Sequence, residues 1–269
     1  MVDRSRRPAM VAGQFYPGDA DVLRRQVRGY LKEAQLPAEF GQVRAVVAPH
    51  AGYVYSGPTA GYAYKALSEL PDREWTVYLM GPAHRVYVRG VALGGFSAFE
   101  TPLGEVPVAT ERIEALMDRA SFYVEGADAH RPEHSLEVQL PFLQTALADF
   151  KLVPMLFGEV DTGKVVEDLK GRLGPDDLVV VSSDLSHFHD EDQAERLDRS
   201  LLDALLEGDV KGVVRGEACG RAPIATLMGI AKARDWTPHL LDYSTSADAT
   251  GDRSRVVGYA SVAYSEVEG

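Results

Sequence analysis

Short runs of β-branched and other apolar residues alternate along this chain with stretches whose apolar positions recur every three to four residues. The first kind predicts strands at 43–48, 75–80, 86–93, 151–157, 178–183, 238–243 and 255–264. The second predicts helices at 20–35, 58–70, 109–119, 132–147, 161–172, 190–207 and 221–234. In the first helix Val22, Leu23, Val27, Tyr30, Leu31 and Ala34 share one face. Pro58 suits a first helical position, and Pro132 and Glu133 suit another helix start, Glu133 at the positive end of the dipole. Gly94-Gly95 and Pro102-Leu103-Gly104 predict a hairpin over 94–108, and residues 244–254 read as a polar loop. Strands alternating with helices predict an α/β fold. The hairpin makes its central sheet mixed, largely parallel, flanked by helices. No repeat, low-complexity tract or linker divides residues 1–269, so they read as a single domain.

Three of the apolar runs lead into histidine. Val43 to Ala48 runs into Pro49-His50, Trp75 to Met80 into Gly81-Pro82-Ala83-His84, and Leu178 to Ser183 into Asp184-Leu185-Ser186-His187. Parallel strands of this kind lie side by side, and ligands of such sheets collect at their carboxyl ends. Several imidazoles and a carboxylate at one sheet edge suit a transition metal or acid–base chemistry. His50 and His84 stand as ligand candidates. Asp184 can orient an imidazole by accepting its second ring N–H, and His187 can act as acid or base. Either Asp184 or Ser186 can also cap helix 190–207.

His130 to Gln139 is a second polar cluster. It lacks the two histidines four apart of a zincin, yet His134 and Glu133 can contribute to a pocket. Tyr53 and Tyr55, in the glycine-rich turn after His50, can line it. Cys219-Gly220 precedes helix 221–234, where a helix amino terminus lowers a thiol's pKa and favours a thiolate ligand or nucleophile.

Composition narrows the partners more than the fold. The net charge of −12, from 28 basic and 40 acidic residues, disfavours nucleic acid and anionic membrane. The one basic run, Arg4 to Arg7, sits at a start expected to be frayed. A single cysteine excludes an intramolecular disulfide. Together with the lack of a signal pattern or a spanning apolar run, this gives a cytoplasmic expectation.

Several segments resemble the Memo family (mediator of ErbB2-driven cell motility, with its bacterial and archaeal relatives). They are Pro8 to Pro17, Pro49 to Gly57, Gly81 to His84, Glu133 to Leu143, Ser182 to His187, Cys219-Gly220 and Val256 to Ala260. The resemblance implies a single α/β domain similar to class III extradiol dioxygenases. It implies a metal site at His50, His84 and Cys219, with Asp184 and His187 close by, holding iron or copper. It also implies a peptide or small-molecule ligand in the pocket and a radical-SAM partner. Those dioxygenases complete two histidines with a carboxylate, whereas the matching third position here is Cys219, so fold alone does not carry ring cleavage across. Three readings follow: a metal-dependent redox protein, a non-catalytic ligand-binding pocket, and a hydrolase using Cys219 or a metal-bound water.

Overall fold

A computed structural model describes residues 5–37 and 41–266. Among these the strands are β1 (Arg6–Arg7), β2 (Gln42–Ala48), β3 (Glu74–Pro82), β4 (Val91–Leu93), β5 (Ala98–Thr101), β6 (Gly104–Pro107), β7 (Tyr123–Glu125), β8 (Asp149–Phe157), β9 (Asp177–Ser182), β10 (His187–His189), β11 (Thr237–Thr245) and β12 (Val256–Glu266). The helices are α1 (Ala20–Glu33), α2 (Tyr53–Leu67), α3 (Thr110–Met117), α4 (Ala127–His130), α5 (Leu140–Ala146), α6 (Thr162–Leu169), α7 (Glu191–Leu206), α8 (Val210–Arg215), α9 (Arg221–Ala233) and α10 (Ala247–Thr250).

The chain forms one α/β domain around a mixed sheet of order β10-β12-β2-β9-β3-β8-β4-β7, with β11 on β12. Its centre, β2-β9-β3-β8, is parallel, and β12 and β4 flank it antiparallel. Residues of β9 and most of β2 and β3 are buried whichever face they point to, which explains their unbroken apolar runs. Helices therefore cover both faces. One group packs α1, α2 and α5 together, and another packs α6, α8 and α9. The register sets Ala48 beside Ser182 and Met80 beside Val181. The carboxyl ends of β2, β9 and β3 thus lie at one edge, and His50, Asp184 and His84 each follow two residues later.

Several sequence expectations need correction. Helix α2 begins at Tyr53 rather than 58, because the Tyr53 N–H donates to Phe15 O (2.7 Å) and Ser56 Oγ ties back to Ala51 O (3.0 Å). Pro58 lies inside it, and Gly57 faces the Tyr30 ring so closely that a Cβ there would overlap it. The helix expected over 132–147 is only α5, preceded by a 3-10 turn at Glu137–Gln139. The N–H groups of His134 and Ser135 bind Glu133 Oε1 (2.9 and 3.0 Å), which holds residues 132–136 out of a helix. Of the strand expected over 86–93 only β4 forms, and Val86 and Tyr87 are exposed. The 94–108 hairpin exists as β5–β6, but it pairs with β1 in a separate sheet. Arg4 lies outside the described residues. Arg6 and Arg7 are strand rather than frayed chain, and the Arg7 side chain is 1% exposed. Asp190, not Asp184 or Ser186, caps α7 by accepting from Gln193 N (3.0 Å). No helix among the described residues is long and apolar enough to cross a membrane.

Candidate metal centre

Among the described residues, His50, His84 and Cys219 each offer a ligand atom, and these atoms lie within 4.8 Å of one another. Cys219 Sγ is 3.3 Å from His50 Nε2. The His50 and His84 ring centroids are 5.2 Å apart. Cys219 reaches this edge because its loop docks on the end of β9. Its N–H donates to Asp184 O (3.2 Å), Gly220 N donates to Ser183 Oγ (2.9 Å), and Asp184 N donates to Sγ (3.2 Å). A Cβ on Gly220 would lie 2.6 Å from Ser183 Cβ, so the docking needs glycine.

A hydrogen-bond chain behind His50 fixes which nitrogen faces the site. Tyr64 OH donates to Gln139 Oε1 (2.6 Å), so the Gln139 Nε2 donates to Pro49 O (2.9 Å) and Ser182 Oγ (2.8 Å). Ser182 Oγ gives its own proton to Ser135 O (2.6 Å). Its contact with His50 Nδ1 (2.8 Å) must then be a bond it accepts, which protonates Nδ1 and leaves the Nε2 lone pair towards Cys219. Burial holds His50 neutral, pushing its pKa down to about 4.

Glu133 plays the same part for His84. Its carboxylate accepts from His84 N (2.6 Å), His84 Nδ1 (3.1 Å), His134 N (2.9 Å) and Ser135 N (3.0 Å). Burial alone would raise its pKa, but these bonds outweigh it and hold the carboxyl far below the usual range. His84 thereby donates from Nδ1, and its Nε2 is not held by Glu133. Although His84, Glu133 and His134 also lie within 4.8 Å, the Glu133 oxygens are already occupied by four N–H donors. That carboxylate orients a candidate ligand and has no free oxygen to serve as one itself. His134 Nδ1 lies 3.1 Å from Glu133 Oε1 without the alignment of a hydrogen bond.

The three histidines open onto a pocket of about 430 Å³, also lined by Phe15, Tyr55, Arg85, Asp184, His187 and Val257. Asp184 Oδ1 accepts from the backbone N–H of His50 (2.7 Å) rather than from an imidazole. His187 is on the pocket wall and not hydrogen-bonded to Asp184; the loop carrying it is held from behind by Asp198, which accepts from Ser186 N (2.9 Å) and Tyr243 OH (3.0 Å). Tyr53 does not line the pocket. Its ring packs on Tyr16 and Phe142, its OH donates to Val138 O (2.6 Å), and Tyr55 takes the wall position, because the turn expected there is already helix. The thiol departs from the helix-terminus expectation as well. Burial, with the nearby Asp184 charge, pushes Cys219 up to about 12. Sequence reasoning missed Tyr64, Gln139, Ser182 and Asp198. Gln139 and Ser182 stood inside segments already singled out, but nothing in their spacing showed that they meet.

This architecture defines an α/β protein with a histidine–histidine–cysteine cluster beside a pocket at the carboxyl edge of a mixed sheet. The family model described as "Memo-like protein" matches residues 7–263. A MEMO1 family protein of Archaeoglobus fulgidus is 41% identical over 96% of this chain and 99% of its own. MEMO1 family proteins of Methanopyrus kandleri and Thermoplasma acidophilum are each 35% identical, over 96% of this chain and 98% and 97% of theirs. The chain belongs to the Memo family.

Proposed function

We propose that this chain is a metal-dependent redox protein in which His50, His84 and Cys219 hold iron or copper. The observation that carries the reading is that two imidazoles, each with Nδ1 already committed, and one sulfur bring ligand atoms within 4.8 Å of one another. Neutral nitrogen plus thiolate suits a soft or borderline transition metal. The fit is electrostatic too: a thiol that burial keeps protonated loses its proton when a cation offsets that cost. When bound, iron or copper supplies one-electron chemistry and open coordination positions.

The surrounding residues have separable tasks. Ser182 and Glu133 fix the two imidazole tautomers, and Asp184 fixes the His50 backbone. His187 moves a proton at the pocket wall, while Phe15, Tyr55 and Val257 give the reacting volume an apolar side. The sheet-edge location supports an architecture like that of class III extradiol dioxygenases; the thiolate in place of their carboxylate supports a different reaction. A small-molecule or peptide ligand is the pocket's occupant, and a reducing cytoplasm suits the lone Cys219. The pocket's apolar walls also favour a second reading, a ligand-binding pocket without turnover. A Cys219 nucleophile fits less well, since its thiol is raised to about 12 and neither His187 nor the Asp184 carboxylate is hydrogen-bonded to Sγ.

Elemental analysis after anaerobic, chelator-free purification tests the proposal, followed by metal-dependent oxygen consumption. Near-stoichiometric iron or copper that disappears in Cys219→Ser and His50→Ala is the expected result. Metal retained in both variants would overturn the ligand set, and ligand binding indifferent to metal removal would favour the second reading.

A further inference from the structure

Arg7 and Glu137 form an ion pair outside the pocket, with side chains only 1% and 0% exposed. Arg7 Nη1 donates to Glu137 Oε2 (2.6 Å). The same oxygen accepts from Met10 N (2.9 Å), and Oε1 accepts from Val11 N (2.9 Å) and Tyr16 OH (2.7 Å). The other arms of the guanidinium reach across the domain. Nε donates to His130 O (2.6 Å), and Nη2 donates to Glu133 O. Well-packed apolar residues often stabilise a fold as well as so dry a pair does, and they would not impose its geometry.

The pair clasps two segments that both end at the pocket. The first, through Met10, Val11 and Tyr16, carries Phe15, whose ring packs 4.9 Å from His134. The second runs from His130 to Glu137 and contains Glu133. Arg7 grips the carbonyl of the same residue whose carboxylate grips His84. We propose that the Arg7–Glu137 pair is the positioning device of the pocket: it sets Glu133 so that His84 is protonated at Nδ1 and offers Nε2. Arg7 touches neither pocket nor ligand, and it reaches His84 through Glu133. The inference rests on the pocket being the functional site, but its readout needs no metal.

Two-bond nitrogen–proton NMR spectra of the imidazoles in metal-free protein, taken at mildly alkaline pH so that the rings are neutral, test it. Wild type is expected to show His84 as one Nδ1–H form. Arg7→Lys, Arg7→Met and Glu137→Gln are expected to move it towards a mixture of tautomers. Arg44→Met serves as control, since it removes another buried arginine, one that binds Gly174 and Pro175 carbonyls away from the pocket. A wild-type His84 signal in any folded Arg7 or Glu137 variant overturns the proposal, as does an equal change in Arg44→Met. Should Arg7→Met fail to fold, the milder Arg7→Lys and Glu137→Gln give the same reading. In a second arm, cobalt(II) affinity falls by about 10- to 100-fold in Arg7→Lys, the usual effect of losing support behind a ligand. A wild type that binds no cobalt would sink the metal reading and leave the tautomer result standing.

Discussion

The two edges of the central sheet both bury polar groups, yet they finish them differently. At the amino edge, arginines close a loop. Arg44 donates to Pro175 O (2.8 Å) and Gly174 O (2.9 Å), Arg73 donates to Pro175 O (3.2 Å), and Arg234 donates to Leu173 O. Arg73 also lies 4.1 Å over the Trp75 ring and pairs with Asp176 (2.8 Å). The Nη donors there end on the protein's own carbonyls and on Asp176. At the carboxyl edge, Ser182 and Glu133 satisfy one nitrogen each of His50 and His84 and leave the other unbound by any oxygen acceptor. The amino edge leaves only scattered atoms over, such as Asp177 Oδ1 and Arg44 Nε. The carboxyl edge gathers two imidazoles and one sulfur with ligand atoms within 4.8 Å of one another, and that convergence marks it as a candidate site rather than a brace.

The largest expected effect would break the contrast outright. Cys219→Ser or His50→Ala should abolish stoichiometric cobalt(II) binding in a spectroscopic titration, whereas Arg44→Met should leave it unchanged. Next, Arg44→Met should lower unfolding free energy in urea by about 2–4 kcal/mol, because buried carbonyls lose a charged donor. A loss of that size from Cys219→Ser would blur the division of labour.

Acid should separate the histidines from the arginines. Burial pushes His130 down to about 4 from its ordinary 6.5. Between those pH values the unfolded chain binds a proton that the folded chain refuses, so stability rises with pH and falls on acidification through this window. For His130 the loss is about 3 kcal/mol at most, and His50 adds a similar slope in metal-free protein. Urea unfolding at pH 7 and pH 5 should show it, with a shallower dependence in His130→Gln. The smallest effect is that of Ser182→Ala. It should cost about 1 kcal/mol of stability and about 10-fold in cobalt(II) affinity, since His50 keeps its place but loses the acceptor that fixes its tautomer.

The α/β class and the histidines at strand ends were legible in the sequence because unbroken apolar runs bounded by proline or glycine have few other meanings. The helix over 132–147 was misread because Pro132 and Glu133 are good helix-start residues. Glu133 instead spends its oxygens on His84, 49 positions away. Pro58 misled in the same way, since it sits inside a helix that starts at Tyr53. Arg7 was beyond local reading altogether. A charge run at a chain start reads as solvated, and only its meeting with Glu137, 130 positions on, makes it interior. Long-range partners decided each miss.

Gly220 ties these threads to a single missing methyl. Its Cα hydrogens allow the loop before α9 to press against Ser183, and that contact places the sulfur. Gly220→Ala would keep all three candidate ligand residues in the chain while levering one of them outward. Inventories of ligand residues would score such a protein as intact, although its donor triangle had been pried open.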